Sequence, residues 1–118
     1  GKSTSETAGF KLDNINFSCS KAIATNIGAL RKAGDSLRNK LKKGIAIVGS
    51  IVDEKGVIVI MATDDINLGA NDVAKIIANE TNSGGGGNKF SAQVGIKDLK
   101  DFEDFFENPK IILKKHMN

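Results

Sequence analysis

Two β-branched runs, residues 45–52 (IAIVGSIV) and 57–62 (VIVIMA), constrain the fold of this 118-residue chain more than any other feature. Neither alternates apolar with polar residues, so both faces of each run must be hidden. That is the pattern of central strands covered by helices, not of a sheet with one wet face. The connection Asp53-Glu54-Lys55-Gly56 is short and ends in glycine, and the two runs read as a hairpin. With 40% apolar residues, a chain of this length can bury about two thirds of its unfolded surface in one core.

The flanking segments supply the covering elements. Residues 10–19 mix Phe, Leu and Ile with polar positions and read as a strand, although the alternation slips between Leu12 and Ile15. From Ser20 the period changes. Ile23, Ile27, Leu30, Gly34, Leu37 and Leu41 recur at steps of four and three, predicting a helix capped by Ser20 and ended by Gly44. Gly34 on that apolar stripe implies close packing against a neighbour. Residues 71–81 carry Val73, Ala74, Ile76 and Ile77 at helical spacing, residues 90–94 form a short candidate strand, and Leu99, Phe102, Phe105 and Phe106 make a further helical stripe stopped by Asn108-Pro109. Residues 111–113 fit either a helical turn or an edge strand. The expectation is an α/β fold: a mixed β-sheet of about four strands with helices packed on it, in β-α-β-β-α-β-α order and in two or three layers.

The segment 1–9 (GKSTSETAG) begins with Gly and is polar, so it reads as a flexible linker or cloning remnant of a longer protein, leaving 10–118 as the domain. It lacks the apolar core of a signal peptide, and no run of about 18 apolar residues occurs. A soluble chain without a membrane partner is expected. Cys19 is the only cysteine, which excludes an internal disulfide or a multi-thiolate metal site and fits a reducing compartment. His116 stands near the end among lysines and reads as a solvated residue.

Charge is distributed unevenly. Residues 21–43 hold Lys21, Arg31, Lys32, Arg38, Lys40, Lys42 and Lys43 against Asp35 alone, whereas 53–80 and 98–107 are acidic. A basic element on a chain of net charge +3 suits an anionic partner, RNA first and acidic protein surfaces second. The lysines at 40, 42 and 43 also complement the negative end of the predicted helix, which is the purely structural account of part of the cluster.

The run Gly84-Gly85-Gly86-Gly87 joins a predicted helix to non-repetitive sequence, Asn88-Lys89-Phe90-Ser91-Ala92-Gln93-Val94-Gly95. Low-complexity surroundings would mark a linker, and they are missing here. The run is therefore expected to be an ordered functional loop, using positive φ and exposed N–H groups to hold phosphate oxygens or to let a partner approach the main chain.

Nothing in the chain points to catalysis. Gly1-Lys2-Ser3-Thr4 matches the end of a phosphate-binding P-loop but lacks the preceding strand and first glycine. Asp64-Asp65 and the Asp101/Glu103/Asp104 group look like solvated surface without the apolar neighbours that raise a carboxyl pKa. No His lies beside Cys or Ser in the sequence, and no Cys/His/Asp cluster suggests a metal. Catalytic and metal residues are expected to be none.

The Leu-Arg…Asp…Leu-Arg helix of residues 29–41, the hairpin, the following helix, and a GGGG-x-x-x-x-Ala-Gln-x-Gly string together resemble the C-terminal globular domain of alanyl-tRNA synthetases, also called DHHA1, over residues 10–106. The resemblance implies a module that grips the outer corner of tRNA, alanine tRNA in particular, and presents it to aminoacylation and editing sites elsewhere in the enzyme. It implies no cofactor for this chain, and ATP, Mg and Zn for the parent. Other synthetase domains, and a second copy in a homo-oligomer, are the further partners, in a cytoplasmic or organellar setting. Gly85, Gly86 and Gly87 match the family's glycines, and Ala92, Gln93 and Gly95 its Ala-Gln-x-Gly. The usual bacterial Arg-Pro-Asp is replaced by Asn88-Lys89-Phe90, so Lys89 stands in for the arginine. The tRNA-binding set is then Gly84, Gly85, Gly86, Gly87, Asn88, Lys89, Gln93, Arg31, Arg38, Lys42 and Lys43, with glycine amides and Gln93 reaching sugar-phosphate or unpaired bases. Broad base stacking is not expected, because the phenylalanines are mostly spent on the core. Two alternatives stay open. One is the substrate-binding half of a DHH phosphoesterase, which typically places His where Asn88 stands, and the other is a protein-interaction module.

Overall fold

The computed structural model describes residues 4–41 and 43–117. Six strands form one mixed sheet, β1 (Thr4–Leu12), β2 (Ile15–Ala22), β3 (Gly44–Val52), β4 (Lys55–Ala62), β5 (Gly84–Gly87) and β6 (Ser91–Ile96), in the spatial order β1-β2-β3-β4-β6-β5. The helices are α1 (Ile27–Lys40), α2 (Ala70–Glu80), α3 (Leu99–Glu107) and α4 (Pro109–Met117). Only β2 and β3 run parallel, as the crossover through α1 requires, and the other neighbours are antiparallel.

The two apolar runs are central strands, as their pattern demands. Ile45, Ile47, Ile58 and Ile60 point to one face, where α2, α3 and α4 complete the larger core with Val73, Ile77, Phe102, Phe105 and Leu113. Ala46, Val48, Val59 and Met61 point to the other, where Leu30 and Leu37 of α1 and Leu41 just after it cover them. The molecule therefore has three layers. Gly34 lets α1 sit directly on β3 and β4, since a Cβ there would lie 3.2 Å from Met61 Cγ and 3.3 Å from Val59 Cγ1.

Several expectations are corrected. Residues 10–19 are not one strand. The slip between Leu12 and Ile15 is a two-residue turn, with Asp13 and Asn14 at φ of 51° and 64°, the left-handed pair that closes a tight hairpin. The first strand of that hairpin begins at Thr4 and pairs Thr7 with Ser20 and Ala8 with Cys19, so residues 4–9 are sheet and not a linker. Helix α1 starts six residues later than the Ser20 cap would have it. Ser20 and Lys21 are drawn into β2 by pairing with Val48 and Gly49, and Asn26 caps the helix by accepting from the Ala29 amide at 2.8 Å. Ile23, the first residue of the expected stripe, is left 76% exposed. At the other end Leu41 is the C-cap, and Gly44 opens β3 against the backbone of Asn16. The β3–β4 turn is also tighter than the four-residue connection expected, with Asp53 and Glu54 alone at its tip. Gly56 belongs to β4, and glycine stands there because the Phe102 ring lies on it. After Pro109, residues 111–113 continue as helix α4. With β1 and β5 added, the sheet has six strands where about four were expected.

Candidate nucleic-acid interface

The glycine run is not a loop. Gly84–Gly87 forms β5, an edge strand paired antiparallel with β6, Gly84 opposite Gly95, Gly85 opposite Val94, Gly86 opposite Gln93 and Gly87 opposite Ala92. Only Gly87 has a φ in the left-handed half of the map, 155°. The Asn88 amide donates to the Ser91 carbonyl at 2.8 Å, which marks that pair as hydrogen-bonded. Antiparallel pairing alternates, so the main-chain groups of Gly84 and Gly86 turn towards β6 and those of Gly85 and Gly87 towards the open edge. A continuous cradle of successive N–H groups, as the loop reading required, is therefore not formed.

The four glycines divide by the space around them. A Cβ on Gly85 would stand 2.7 Å from the Gln93 carbonyl oxygen and 3.0 Å from Val94 Cα, so this glycine is required by the close approach of β5 to β6. Gly87 is held by its positive φ. A Cβ on Gly84, Gly86 or Gly95 would meet nothing within 4 Å. These three share one face with Ser91 and Gln93, while Ala92, Val94 and Ile96 are buried on the opposite face against α2. On their own face α1 covers β3 and β4 but contributes no core with β5 or β6. The result is a shelf of bare backbone beside α1.

Side chains rim this shelf. Arg31 of α1 reaches across to donate to Ser91 Oγ at 3.4 Å. Among the described residues, Gln93 projects half-buried from the shelf with no side-chain hydrogen bond, and exposed Lys89 has no ion pair. Arg38, two turns after Arg31 and on the same side of the helix, is held by Asp35 at 2.9 Å and lines an open cavity that also takes in Phe90, Asp64 and Asp65.

Asn88 is a fold residue. Its Oδ1 accepts from the amides of Phe90 and Ser91 at 2.8 and 3.0 Å, closing the β5–β6 turn. Its carbonyl and that of Lys89 accept the amides of Asn71 and Ala70, at 3.1 and 2.7 Å, so the first turn of α2 is satisfied from within and offers no anion site. Lys43 lies away from the shelf, beside the Asp13-Asn14 turn. Lys42 lies outside the described residues. Lys21 leaves the basic cluster altogether, since it is on β2 and pairs with Glu103 of α3. Cys19 is buried, and burial pushes its thiol pKa up, which keeps it protonated and unreactive. Among the described residues no group of His, Cys, Asp and Glu could hold a metal, and no helix is long and apolar enough to cross a membrane.

The binding set read from the sequence leaves out Phe90, Ser91 and Gly95, although Gly95 is matched there as part of Ala-Gln-x-Gly. Phe90 is 48% exposed and is the one described phenylalanine without a neighbouring aromatic ring. The period-2 burial of Ala92, Val94 and Ile96 is the signal that places Gly95 on the shelf face opposite Gly84.

The described residues thus form a three-layer α/β fold whose six-stranded sheet ends in a bare glycine edge. The DHHA1 domain family matches residues 14–115, and the chain belongs to it. It is 31% identical over 98 residues to an alanine–tRNA ligase of Roseiflexus castenholzii and 33% identical over 101 residues to that of Endomicrobium trichonymphae, covering 80% and 83% of this chain. It spans only 11% and 12% of the length of those ligases. The fold matches the crystal structure of the C-Ala domain from Aquifex aeolicus alanyl-tRNA synthetase with a TM-score of 0.74 at 24% identity, covering 90% of this chain and 97% of that one.

Proposed function

We propose that this chain is the tRNA-binding C-terminal domain of an alanine–tRNA ligase, gripping the outer corner of alanine tRNA with the glycine shelf and its Arg31, Lys89 and Gln93 rim. One observation carries the reading: Gly84, Gly86 and Gly95 are bare on a single exposed face where packing makes no demand for glycine. Side chains there would hold a partner off the main chain, and their lack lets a ribose-phosphate or base edge come close, with Arg31 and Lys89 for phosphates and the Gln93 amide for a base or sugar. The chain supplies binding and no chemistry. Aminoacylation with ATP and Mg, and editing with Zn, belong to other domains of the parent, in the cytoplasm.

The unpaired outer edge of β5 favours a second reading, in which an extended segment of another protein or a second copy adds to the sheet. The phosphoesterase alternative has less support, since Asn88 spends its side chain on closing the turn.

The test is a binding titration against folded alanine tRNA and a plain RNA duplex of matching length at two salt concentrations, with Gly86→Val as a third arm. Preference for the tRNA that persists at higher salt and falls in Gly86→Val is the expected result. Equal binding that salt erases would reduce the interface to generic charge and promote strand addition.

A further inference from the structure

Beside the shelf is a cavity of about 480 Å³ that the proposed grip on tRNA does not use. It is formed where the C-terminal turn of α1, the end of β4 and the β5–β6 turn meet, and Arg38, Asn39, Thr63, Asp64, Asp65 and Phe90 line it. Its volume falls in the range of roughly 300–1,000 Å³ typical of small-molecule sites.

The main chain of Phe90 is held in place while its ring remains open to solvent. Asn88 Oδ1 accepts from the Phe90 amide at 2.8 Å, and the Phe90 carbonyl accepts from the Ala62 amide at 3.0 Å. Both main-chain groups of the residue are thereby tied to the sheet, yet its side chain stays 48% exposed. An aromatic face presented this way costs little ordering entropy when a planar group stacks on it. The carboxylates add selectivity. Asp65 is oriented by the Thr63 hydroxyl, which donates to its Oδ1 at 2.6 Å, whereas Asp64 is exposed and has no partner among the described residues. A carboxylate presents acceptors only, in a plane suited to two parallel donors. Among the four RNA bases only guanine has two adjacent donors on its Watson–Crick edge, N1–H and the N2 amino group. Adenine, cytosine and uracil each set an acceptor beside their donor, and that lone pair would face the carboxylate. Arg38, on the same cavity, spends one guanidinium nitrogen on Asp35 and has further N–H donors for the 5′-phosphate.

We propose that this cavity is a pocket for one unstacked guanine nucleotide, with the base on Phe90, its Watson–Crick edge on Asp64 and its phosphate towards Arg38. The nucleotide is contributed by the RNA that lies on the adjoining shelf, and in that respect the inference rests on the RNA-binding reading. Shelf and pocket then divide the labour between backbone-shaped approach and reading of a single base.

The experiment is an amide-resolved NMR titration of this chain with 5′-GMP, 5′-AMP, 5′-CMP and 5′-UMP, followed by binding of folded alanine tRNA to wild type, Phe90→Ala and Asp64→Asn. GMP is expected to shift the amides of Phe90, Asn39, Asp64 and Asp65 at lower concentration than the other three. Phe90→Ala should weaken GMP about 5- to 150-fold, the span of one lost stacking contact. Asp64→Asn should bring GMP towards parity with AMP while Phe90 still responds to both. Equal shifts with all four nucleotides, or none at the cavity, would overturn the pocket whatever the tRNA does. Tight GMP binding combined with unchanged tRNA affinity in Phe90→Ala would overturn the RNA as its source and leave a free nucleotide in its place. Wild type that fails to bind tRNA but selects GMP would defeat the reading of the previous subsection and keep the pocket. Both variants change exposed side chains, so unaltered thermal unfolding is the control.

Discussion

β3–β4 and β5–β6 are both antiparallel hairpins of one sheet, joined through β4 and β6, and they could hardly be built more differently. In β3–β4 nearly every residue is buried, with isoleucines towards α2 and α3 and smaller apolar residues towards α1. In β5–β6 the α2 face is equally buried through Ala92, Val94 and Ile96, but the α1 face carries glycine at three positions and no helix above it. A strand that lacks side chains contributes main-chain hydrogen bonds and almost no hydrophobic stabilisation. The first hairpin thus accounts for the stability of the sheet. The second leaves an apolar-poor, backbone-lined surface that stability does not require, and such a surface is where binding can be placed without loss to the core.

The sharpest way to break this contrast is to truncate each hairpin in turn. Ile60→Ala, at a fully buried position of β4, should cost about 2–5 kcal/mol in urea unfolding. A loss below about 1 kcal/mol would mean that the centre of the sheet is less tightly packed than its contacts imply.

Within β5 the account separates neighbouring glycines. Gly85→Ala should destabilise by about 1–3 kcal/mol, because its Cβ meets β6 main chain that cannot swing away. Gly86→Ala should leave stability unchanged or raise it by up to about 1 kcal/mol, through a less flexible unfolded chain. Equal effects at both positions would remove the distinction between glycines needed by the fold and glycines left for a partner.

The rim is tested by charge. Replacing Arg31 or Lys89 with Ala should leave unfolding within about 0.5 kcal/mol of wild type while lowering the salt slope of RNA binding by about 1 each. The same change at Lys43, which faces the β1–β2 turn, should leave the slope as it was.

The smallest effect lies on the opposite face of the sheet, where Glu80 of α2 meets His116 and Lys115 of α4 at 3.2 and 3.1 Å. Hydrogen bonds from His116 and then Lys115 lower the Glu80 carboxyl pKa from its ordinary 4.5. A depressed carboxyl stabilises the fold above the unfolded value, and that contribution is lost as pH falls through the folded value. Glu80→Gln should therefore cost about 0.5 kcal/mol or less near neutrality, with the gap to wild type closing in acid below about pH 4. A gap that widens in acid would contradict the sign.

How much of this was legible in the sequence follows the same division. Continuous β-branched runs announce burial on both faces, so β3 and β4 were readable, as was Gly34 on the stripe of α1. The start of α1 was not. Ile23 and Ile27 satisfy helical spacing, but pairing of Ser20 and Lys21 with β3 is a long-range interaction that overrides a local period. The slip at Leu12–Ile15 was visible but hid a hairpin, because Asp13-Asn14 lacks the glycine that usually signals such a turn. Four glycines carry no strand signal at all, and β5 exists because β6 offers it a partner. At the candidate site, Arg31 and the run itself were singled out by charge and composition. Lys21 was grouped by proximity in sequence and lies on another element, and Phe90 was passed over because exposure of an aromatic residue depends on what the fold leaves uncovered.

The central claim is that an RNA partner meets the β5–β6 end of the sheet and not the patch around Ile23 and Ile51, which is also exposed. Mapping amide shifts of this chain on adding folded alanine tRNA tests it directly. The account predicts the largest changes at residues 84–93 and 95, with Arg31 and Arg38 next and the patch at Ile23 and Ile51 unmoved. Changes centred on Ile23 and Ile51, with the glycine shelf silent, would contradict it.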